Sequence, residues 1–559
     1  MDSTARDPHQ GSDEEVNEGN EEGNKVGFQW IFHGTFIVPI GNPFSATTNA
    51  KVEDILFQQD SESTILLAPG IVLRRNHILA VDWKGRIVRF EPAASFFLQQ
   101  HDISSQSSRY IPLQEYEFLC PGLIDLHLHA PQYAFAGTGT DRSLMGPDGW
   151  LETYTFPTEQ SLRDLHKAQD VYHRVVQKTL QCGTTTVVYF ATLDVEPTQC
   201  LVDICLKHGQ RAWIGKVCMD RNAPTTYCHS VEQNLRDTQQ FIDYVRNHPG
   251  NSSNLITPVI TPRFIPTCSP ALLKGLGQLA KEHQCPITSH ISESVDEVEV
   301  TRQLDRQDYY GDDRNDHGHD SPNRTDAQIF ASHGLLTNQC IMAHGVFVDD
   351  NDLDLLYAHG SAIAHCPLSN FYFAGGSFPC RHVLERGSNK VGLGSDIAGG
   401  YHPLMFEACR MAVVASLSLE QQQQQQQQQN HPTDPTTIGC MSSASPSPSS
   451  IPLFSDKNHT TTNNDNLTHK LEWYHTLYMA TLGGAEAMGL QNQIGTFHVG
   501  MEFDAIIISP ASTIDIVPWR DKTIQDVIQK LWVLGDDRNI THVFVQGRQV
   551  KMPSSHSSR

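Results

Sequence analysis

The 559-residue sequence lacks the features that mark membrane and secreted proteins. No apolar run approaches the roughly 20 residues that a membrane-spanning helix needs. The N-terminus, MDSTARDPHQGSDEEVNEGNEEGN, has no apolar stretch typical of a signal peptide. The thirteen cysteines include no Cys-x-x-Cys pair, and an unpatterned odd set is typical of reduced thiols. We therefore expect a cytosolic protein.

Positive charge is also scarce. The chain has 40 lysines and arginines against 63 aspartates and glutamates, which gives a formal net charge of −23. Proteins that bind nucleic acid need a basic stripe, and proteins that dock on anionic membranes need clustered lysine or arginine. We therefore expect neither nucleic acid nor a membrane among the partners.

Three stretches are too polar to pack a hydrophobic core. Residues 1–26 are acidic and rich in glycine and asparagine, which predicts a disordered tail. Residues 419–468 contain a glutamine run followed by a Ser/Pro-rich segment, and residues 305–326 read DRQDYYGDDRNDHGHDSPNRTD. Low-complexity sequence of this kind predicts surface insertions.

In the remaining sequence, the pattern of predicted secondary structure changes twice. Residues 27–120 contain short strands and turns, including a hairpin in HILAVDWKGRIVRF that turns at Lys84 and Gly85. Residues 121–495 alternate short apolar runs with helical stretches, which predicts an α/β fold with a parallel barrel. Residues 496–552 return to strands. We therefore expect the two chain ends to pair into one small β domain.

The barrel prediction depends on a series of apolar runs that each end in polar residues. The segment LRDLHKAQDVYHRVVQKTLQCG has helical spacing and stops at Gly183. The predicted strands are LIDLHLH, TTTVVYFAT, WIGKVCM, ITPVITPRF, PITSHISE, IMAHG, SAIAHCP and KVGLGSD.

Histidines and one aspartate stand at the ends of several of these strands. His127 and His129 are two residues apart, so they project from the same face of a strand at its carboxyl end. Such a pair alone also occurs as a structural feature. His290, His344 and Asp396 end three later strands, and a barrel would bring all five to its mouth, where active sites lie. Three histidines and an aspartate suit Zn²⁺, and also Fe²⁺, and such an ion lowers the pKa of a bound water to about 7.

Several motifs together resemble the guanine deaminases, a family of the amidohydrolase superfamily. They are PGLIDLHLHAPQYAFAG, VCMDRNAPTTY, TPRF, SHISE, MAHG, AHCPLSN, GLGSDIAGG, ATLGGAEAMGL and LGDDRNITHVFVQGRQV, and they span roughly residues 70 to 550 apart from the insertions. The resemblance implies a (β/α)8 TIM-like barrel with a small β-sandwich domain built from both chain ends. It also implies one zinc ion per subunit, a homodimer, and conversion of guanine and water to xanthine and ammonia in purine catabolism.

The same resemblance implies a set of site residues. The zinc ligands are His127, His129, His290 and Asp396. The catalytic residues are Glu293 as proton shuttle, His344 beside the metal-bound water, and Asp396. The substrate contacts are His129, Gln132, Arg263, Phe264, His290, Glu293 and Asp396.

The residue types suit this chemistry. Glu293, three residues after His290, can carry protons between water, a ring nitrogen and the leaving amine, although a glutamate here also favours the start of the next helix. Arg263 has two parallel donors that match the O6/N7 edge of guanine, and a surface ion pair is its alternative. Gln132 can read another ring edge or be a solvated loop residue.

The sequence alone leaves other interpretations of the metal site and of the function open. Lys216 lies on a strand and could bridge two metals after carboxylation, although its position suggests that it lies too deep. An aminohydrolase of another purine, a pterin or a triazine would share the metal set, and a non-catalytic assembly scaffold could share the fold. Trp150, Tyr154 and Phe156 could provide aromatic walls for the pocket, but they are interpreted as packing residues. His365 is interpreted as a structural strand-end residue.

Overall fold

The computed structural model describes residues 28–58, 63–99, 109–310, 323–387, 390–430, 468–510 and 513–551. The predicted acidic tail lies outside these residues, as do the central parts of both predicted insertions. The first residues of the 419–468 segment continue a helix that ends at Asn430. Within the described helices, none combines the length and the apolar character that crossing a membrane requires.

The strands fall into three groups along the chain. The N-terminal strands are β1 (Phe28–Pro39), β2 (Thr64–Ala68), β3 (Ile71–Asp82), β4 (Ile87–Pro92), β5 (Tyr110–Pro112) and β6 (Phe118–Pro121). The central strands are β7 (Leu123–His129), β8 (Thr184–Phe190), β9 (Arg211–Cys218), β10 (Ile256–Pro262), β11 (Ile287–Ile291), β12 (Cys340–His344), β13 (Ala362–His365) and β14 (Lys390–Leu393). The C-terminal strands are β15 (Ala505–Ile508), β16 (Ile540–Val545) and β17 (Arg548–Lys551).

The helices surround the central strands or connect the outer ones. They are α1 (Ala46–Gln58), α2 (Ala93–Gln99), α3 (Phe156–Ser161), α4 (Leu165–Gln181), α5 (Val195–His208), α6 (Val231–Asn247), α7 (Pro270–His283), α8 (Val295–Tyr310), α9 (Asp326–Ser332), α10 (Asp350–His359), α11 (Pro367–Ser369), α12 (Cys380–Glu385), α13 (Met405–Asn430), α14 (Trp473–Met479), α15 (Leu482–Ala487) and α16 (Ile524–Leu534). Short π-helical turns at Leu151–Thr155 and Asn370–Ala374 lie near the carboxyl ends of β7 and β13.

The central strands form the predicted barrel. In the described residues, β7 to β14 pair in parallel and in sequence order. Each of the eight apolar runs identified in the sequence coincides with one of these strands. Strands β7 to β13 are buried at every residue except Thr257 of β10, which is half-buried, because helices cover the outer face of a parallel sheet. The predicted (β/α)8 fold class is therefore confirmed.

Helix α4 shows how the sequence pattern gives the local structure. Asp164 caps its N-terminus by accepting a hydrogen bond from the backbone of His166. Tyr172, Val175 and Thr179 recur at helical spacing and are buried. Gly183 follows at a positive φ of 80°, a backbone conformation that glycine adopts readily. The helix predicted to stop at Gly183 is confirmed.

The first and last barrel strands meet at a tight seam. A Cβ atom at Gly392 of β14 would lie 2.4 Å from Leu126 Cδ1 of β7, so any larger residue would require the Leu126 side chain to shift. Asp125 of β7 accepts hydrogen bonds at Oδ1 from the backbone N–H groups of Ser395, at 3.0 Å, and His127, at 3.1 Å. These bonds bring the end of β14 beside the end of β7.

A second sheet combines strands from both chain ends. Its order is β17-β16-β15-β6-β1-β3-β2, with β4 paired to β3 and β5 paired to β1. The central contact is antiparallel pairing of β15 with β6. This confirms that the chain ends build one β unit beside the barrel. The domain boundaries at 120/121 and 495/496 stay a prediction.

A buried ion pair connects this sheet to the barrel. Arg211, at the start of β9, donates to both carboxylate oxygens of Asp504 at 2.9 and 3.1 Å, and to Glu502 Oε2 at 2.6 Å. Asp504→Ala leaves the buried guanidinium without its main partner, so we expect the free energy of unfolding to fall by about 3–5 kcal/mol. Urea denaturation at neutral pH measures this change. Arg174→Ala breaks an exposed pair with Asp170 and serves as the control. Equal effects of the two substitutions would contradict the prediction.

Candidate active site

Four predicted metal ligands meet at the carboxyl end of the barrel. His129 Nε2 lies 3.0 Å from His290 Nε2, and Asp396 Oδ1 lies 3.2 Å from His127 Nε2 and 3.6 Å from His129 Nε2. Two atoms that each lie about 2.0–2.1 Å from one tetrahedral zinc ion are about 3.3 Å apart. The spacing of these donors therefore fits a single divalent metal ion.

Hydrogen bonds orient two of the imidazole rings. His290 Nδ1 donates to the backbone oxygen of Arg263 at 2.6 Å, and His344 Nδ1 donates to Asn370 Oδ1 at 3.0 Å. Each bond uses the Nδ1 proton, so Nε2 keeps its lone pair toward the cluster. His344 Nε2 lies 3.6 Å from Glu293 Oε2 and 3.9 Å from Asp396 Oδ2, which is too far for hydrogen bonds.

The protonation states also fit a metal. Burial lowers the pKa of His127, His129 and His290, so the imidazoles are neutral. Burial alone would raise the pKa of Asp396, but the neighbouring histidines hold it well below its usual value. Neutral histidines and an ionised carboxylate are the forms that bind a divalent cation.

Strained backbone surrounds the cluster. Ser292, His344 and Asp396 have positive φ values of 47°, 73° and 47°. Non-glycine residues in this region cost about 1–3 kcal/mol each and concentrate at functional sites. All three residues lie at or just after the end of a barrel strand, where the chain turns away from the barrel.

Glu293 lies beside the metal donors and, unlike Asp396, is protonated. Burial and the charge of Asp396 raise its pKa well above the usual value, so the carboxyl group retains a proton. Its backbone N–H donates to Glu297 Oε2 at 2.6 Å, which fixes the start of the following helix. A buried carboxyl group with a raised pKa can deliver a proton to a molecule in the pocket.

A pocket opens next to these groups at the mouth of the barrel. The predicted residues that line it are His129, Gln132, Arg263, Phe264, His290, Glu293 and Asp396. His127 and His344 belong to the adjoining donor cluster. The structure thus brings all nine predicted site residues together.

The apolar wall of the pocket was largely not predicted from the sequence. Leu144, Trp150 and Leu151 come from the connection after β7, and Phe373 comes from the connection after β13. Trp150 was interpreted as a packing residue. It does pack against Phe373, with 4.8 Å between ring centroids, but it also lines the pocket. Its position over the barrel mouth depends on the fold of a long connection.

Two residues considered for further metal binding have other contacts. Lys216 is buried, and its Nζ donates to the backbone oxygen of Val217 at 3.1 Å, a contact that needs no bridging metal. The ring of His365 packs 5.3 Å from that of Phe378. Burial lowers the pKa of His365 to about 3, so this histidine is neutral, and its structural role stays a prediction.

No sequence pattern predicted a role for Glu159 at the site. This residue is fully buried on α3, and its carboxylate pairs with Arg263 at 2.8 Å. It also accepts a hydrogen bond from Gln132 Nε2 at 3.1 Å. No motif marks Glu159 in the sequence TFPTEQS, because its partners are far away along the chain.

The family follows from this fold and from sequence comparison. The Amidohydrolase family matches residues 118–550, and the chain belongs to this family. Guanine deaminase from Dictyostelium discoideum is 38% identical over 78% of this chain and 83% of its own length. Guanine deaminase from Homo sapiens is 36% identical over 86% of this chain and 93% of its own. Within the family, the chain therefore groups with the guanine deaminases.

A solved structure agrees with this grouping. The crystal structure of guanine deaminase from C. acetobutylicum, which has guanine bound in its active site, superposes with a TM-score of 0.70 and 27% identity. The match covers 93% of this chain and 99% of the other. The barrel and the β unit beside it are therefore shared over almost the whole molecule.

Proposed function

We propose that the protein is a zinc-dependent guanine deaminase that converts free guanine and water to xanthine and ammonia. One observation carries the proposal. Arg263 and Gln132, which can read the edge of a purine, line the same pocket as Glu293 and the metal-donor cluster. The similarity to guanine deaminases over most of the chain supports it independently.

The metal proposal assigns His127, His129, His290 and Asp396 as ligands. This set of nitrogen and carboxylate donors favours Zn²⁺, with Fe²⁺ as the alternative. When bound, the ion supplies a water whose pKa is lowered to about 7, and therefore a nucleophile at neutral pH. His344, with Nε2 directed toward the cluster, accepts a hydrogen bond from the attacking water and sets its direction.

The substrate proposal uses the donors on one side of the pocket. Arg263 donates to the O6/N7 edge of guanine, and Gln132 pairs with another ring edge. Phe264 and the apolar wall enclose the ring. Because the pocket residues are buried, these polar contacts form without competition from water.

The proton-transfer proposal centres on Glu293. Its carboxyl group protonates the ring nitrogen next to C2 as the new C2–O bond forms. It then takes a proton from the added hydroxyl group and gives it to the amine, so the C2–N bond breaks and ammonia leaves. Asp396 accepts the first proton from water and returns it to Glu293, so both carboxyl groups regain their starting protonation. Water thus adds its oxygen to C2, and in the net reaction one hydrogen is gained by the ring nitrogen of xanthine and one by the departing ammonia.

Two further expectations belong to the proposal. The homodimer and the cytosolic location come from the sequence and the family resemblance. The twelve cysteines in the described residues are all free, which is consistent with a reducing compartment.

The direct test is an assay of the purified full-length chain. We expect it to release ammonia and form xanthine from guanine, and metal analysis to find about one zinc per subunit. Adenine, cytosine, a pterin and a triazine are tested in parallel. Preferred turnover of one of these would replace guanine as the substrate. Metal-free protein with no turnover of any ring would indicate a scaffold.

A further inference from the structure

The carboxylate of Glu159 is the common partner of both side chains proposed to hold guanine. Arg263 Nη1 donates to Glu159 Oε2 at 2.8 Å, and Arg263 Nη2 donates to Oε1 at 3.1 Å. Gln132 Nε2 also donates to Oε1, at 3.1 Å. All three side chains are buried, so water competes little for these hydrogen bonds.

The same contacts fix the orientation of the Gln132 amide. Its Nε2 donates to Glu159, and its Oε1 accepts from the backbone N–H of Ala398 at 3.2 Å. A free glutamine amide can rotate and exchange its donor and acceptor ends. Here each end has one fixed partner, so the remaining N–H and the remaining lone pair have defined directions in the pocket.

Tyr227 shows that Glu159 acts as an ionised acceptor. The hydroxyl oxygen of Tyr227 accepts from the backbone N–H of Leu193 at 3.0 Å, and its own proton is donated to Glu159 Oε2 at 3.1 Å. The two carboxylate oxygens of Glu159 therefore accept four hydrogen bonds: two from Arg263, one from Gln132 and one from Tyr227. An ionised carboxylate can accept all four, whereas a carboxamide cannot.

Glu159 also connects two parts of the barrel mouth. Its helix α3 continues from the connection that carries Trp150 and Leu151, both of which line the pocket. Arg263 follows β10 on another side of the mouth, and its Cζ lies 5.2 Å from the ring of Phe156 on α3. The guanidinium is thus held between an aromatic ring and a carboxylate from one short helix.

We propose that Glu159 is a positioning residue for purine recognition. Its carboxylate fixes the Arg263 guanidinium and the Gln132 amide in the orientation that reads the O6-bearing edge of the base, and it balances the buried charge of Arg263. The proposal deepens the guanine deaminase function and rests on it.

The first test is Glu159→Gln, which keeps the shape and removes the charge. We expect the KM for guanine to rise about 10- to 100-fold, the effect of losing a charged hydrogen-bond acceptor. We expect kcat to change far less, and the metal content to stay the same, because the ligands and Glu293 are untouched. An unchanged KM would overturn the proposal.

A second substrate separates positioning from general loss of structure. The base 2-aminopurine carries the same C2 amine as guanine but has hydrogen in place of O6. We expect Glu159→Gln to weaken guanine binding much more than 2-aminopurine binding, measured as KM or as a competitive inhibition constant. Equal weakening of both bases would mean that Glu159 only supports the fold, and would overturn the proposal.

Tyr227→Phe is the matched control. It removes one hydrogen bond to the same carboxylate without touching Arg263 or Gln132. We expect a lower melting temperature and an unchanged KM. If Glu159→Gln has only this effect, the positioning role is rejected while the guanine deaminase function stands. Absence of guanine turnover in the wild-type chain would instead reject the proposed function.

Discussion

Glu293→Gln is expected to leave the metal bound and to lower kcat for guanine by about 10²- to 10⁴-fold. Glutamine has nearly the same shape as glutamate but cannot gain and lose a proton at neutral pH. The ring nitrogen and the leaving amine then lose their proton carrier. Steady-state kinetics and metal analysis of the same preparation measure the two outcomes.

The control for this change is Glu299→Gln. Glu299 lies six residues further along the chain on α8, is exposed, and accepts a hydrogen bond from Gln303 at 2.9 Å. We expect normal turnover from this variant. If Glu293→Gln also retains normal kcat, another group carries the proton and the assignment of Glu293 is wrong.

Asp396→Asn is expected to remove both the metal and the activity. Asp396 provides the negative charge of the donor cluster, and its Oδ1 lies within 3.6 Å of two of the proposed ligand histidines. Groups that only support a metal ligand contribute about 10- to 100-fold to metal affinity, so we expect a larger loss for a ligand itself. Metal titration and guanine turnover check this result together.

Asp243→Asn provides the matched control on the outer helix α6, where the side chain is exposed. It makes the same chemical change far from the barrel mouth and should retain metal and turnover. Full zinc content in Asp396→Asn would show that the three histidines suffice, and would remove Asp396 from the ligand set. Added zinc that restores turnover only at high concentration would agree with weakened binding.

The barrel could be predicted because its signals are local. Each central strand is a short apolar run with its own boundary, and LIDLHLH places two histidines on one face through simple alternation. The order of the runs then limits the topology, since parallel strands joined by helices lie side by side. The structure agrees at every one of these strands.

The residues that support the site could not be predicted in the same way. Asp125 accepts a hydrogen bond from the backbone N–H of Ser395, 270 residues away, at the seam of the barrel. Glu159 contacts Arg263 across 104 residues of chain. A buried carboxylate is informative only once its partner is known, and no periodicity in the sequence gives that partner.

The sequence by itself determined the barrel strands, the histidines and the aspartate at their ends and the family to which the chain belongs. These follow from side-chain periodicity and short motifs, which depend on neighbouring residues alone. Only the tertiary structure decided which groups share a hydrogen bond at the barrel mouth: the orientation of Gln132, the charge balance of Arg263 and the apolar wall at Trp150. Those contacts join long connections to strand ends, and their geometry exists only after the barrel has closed.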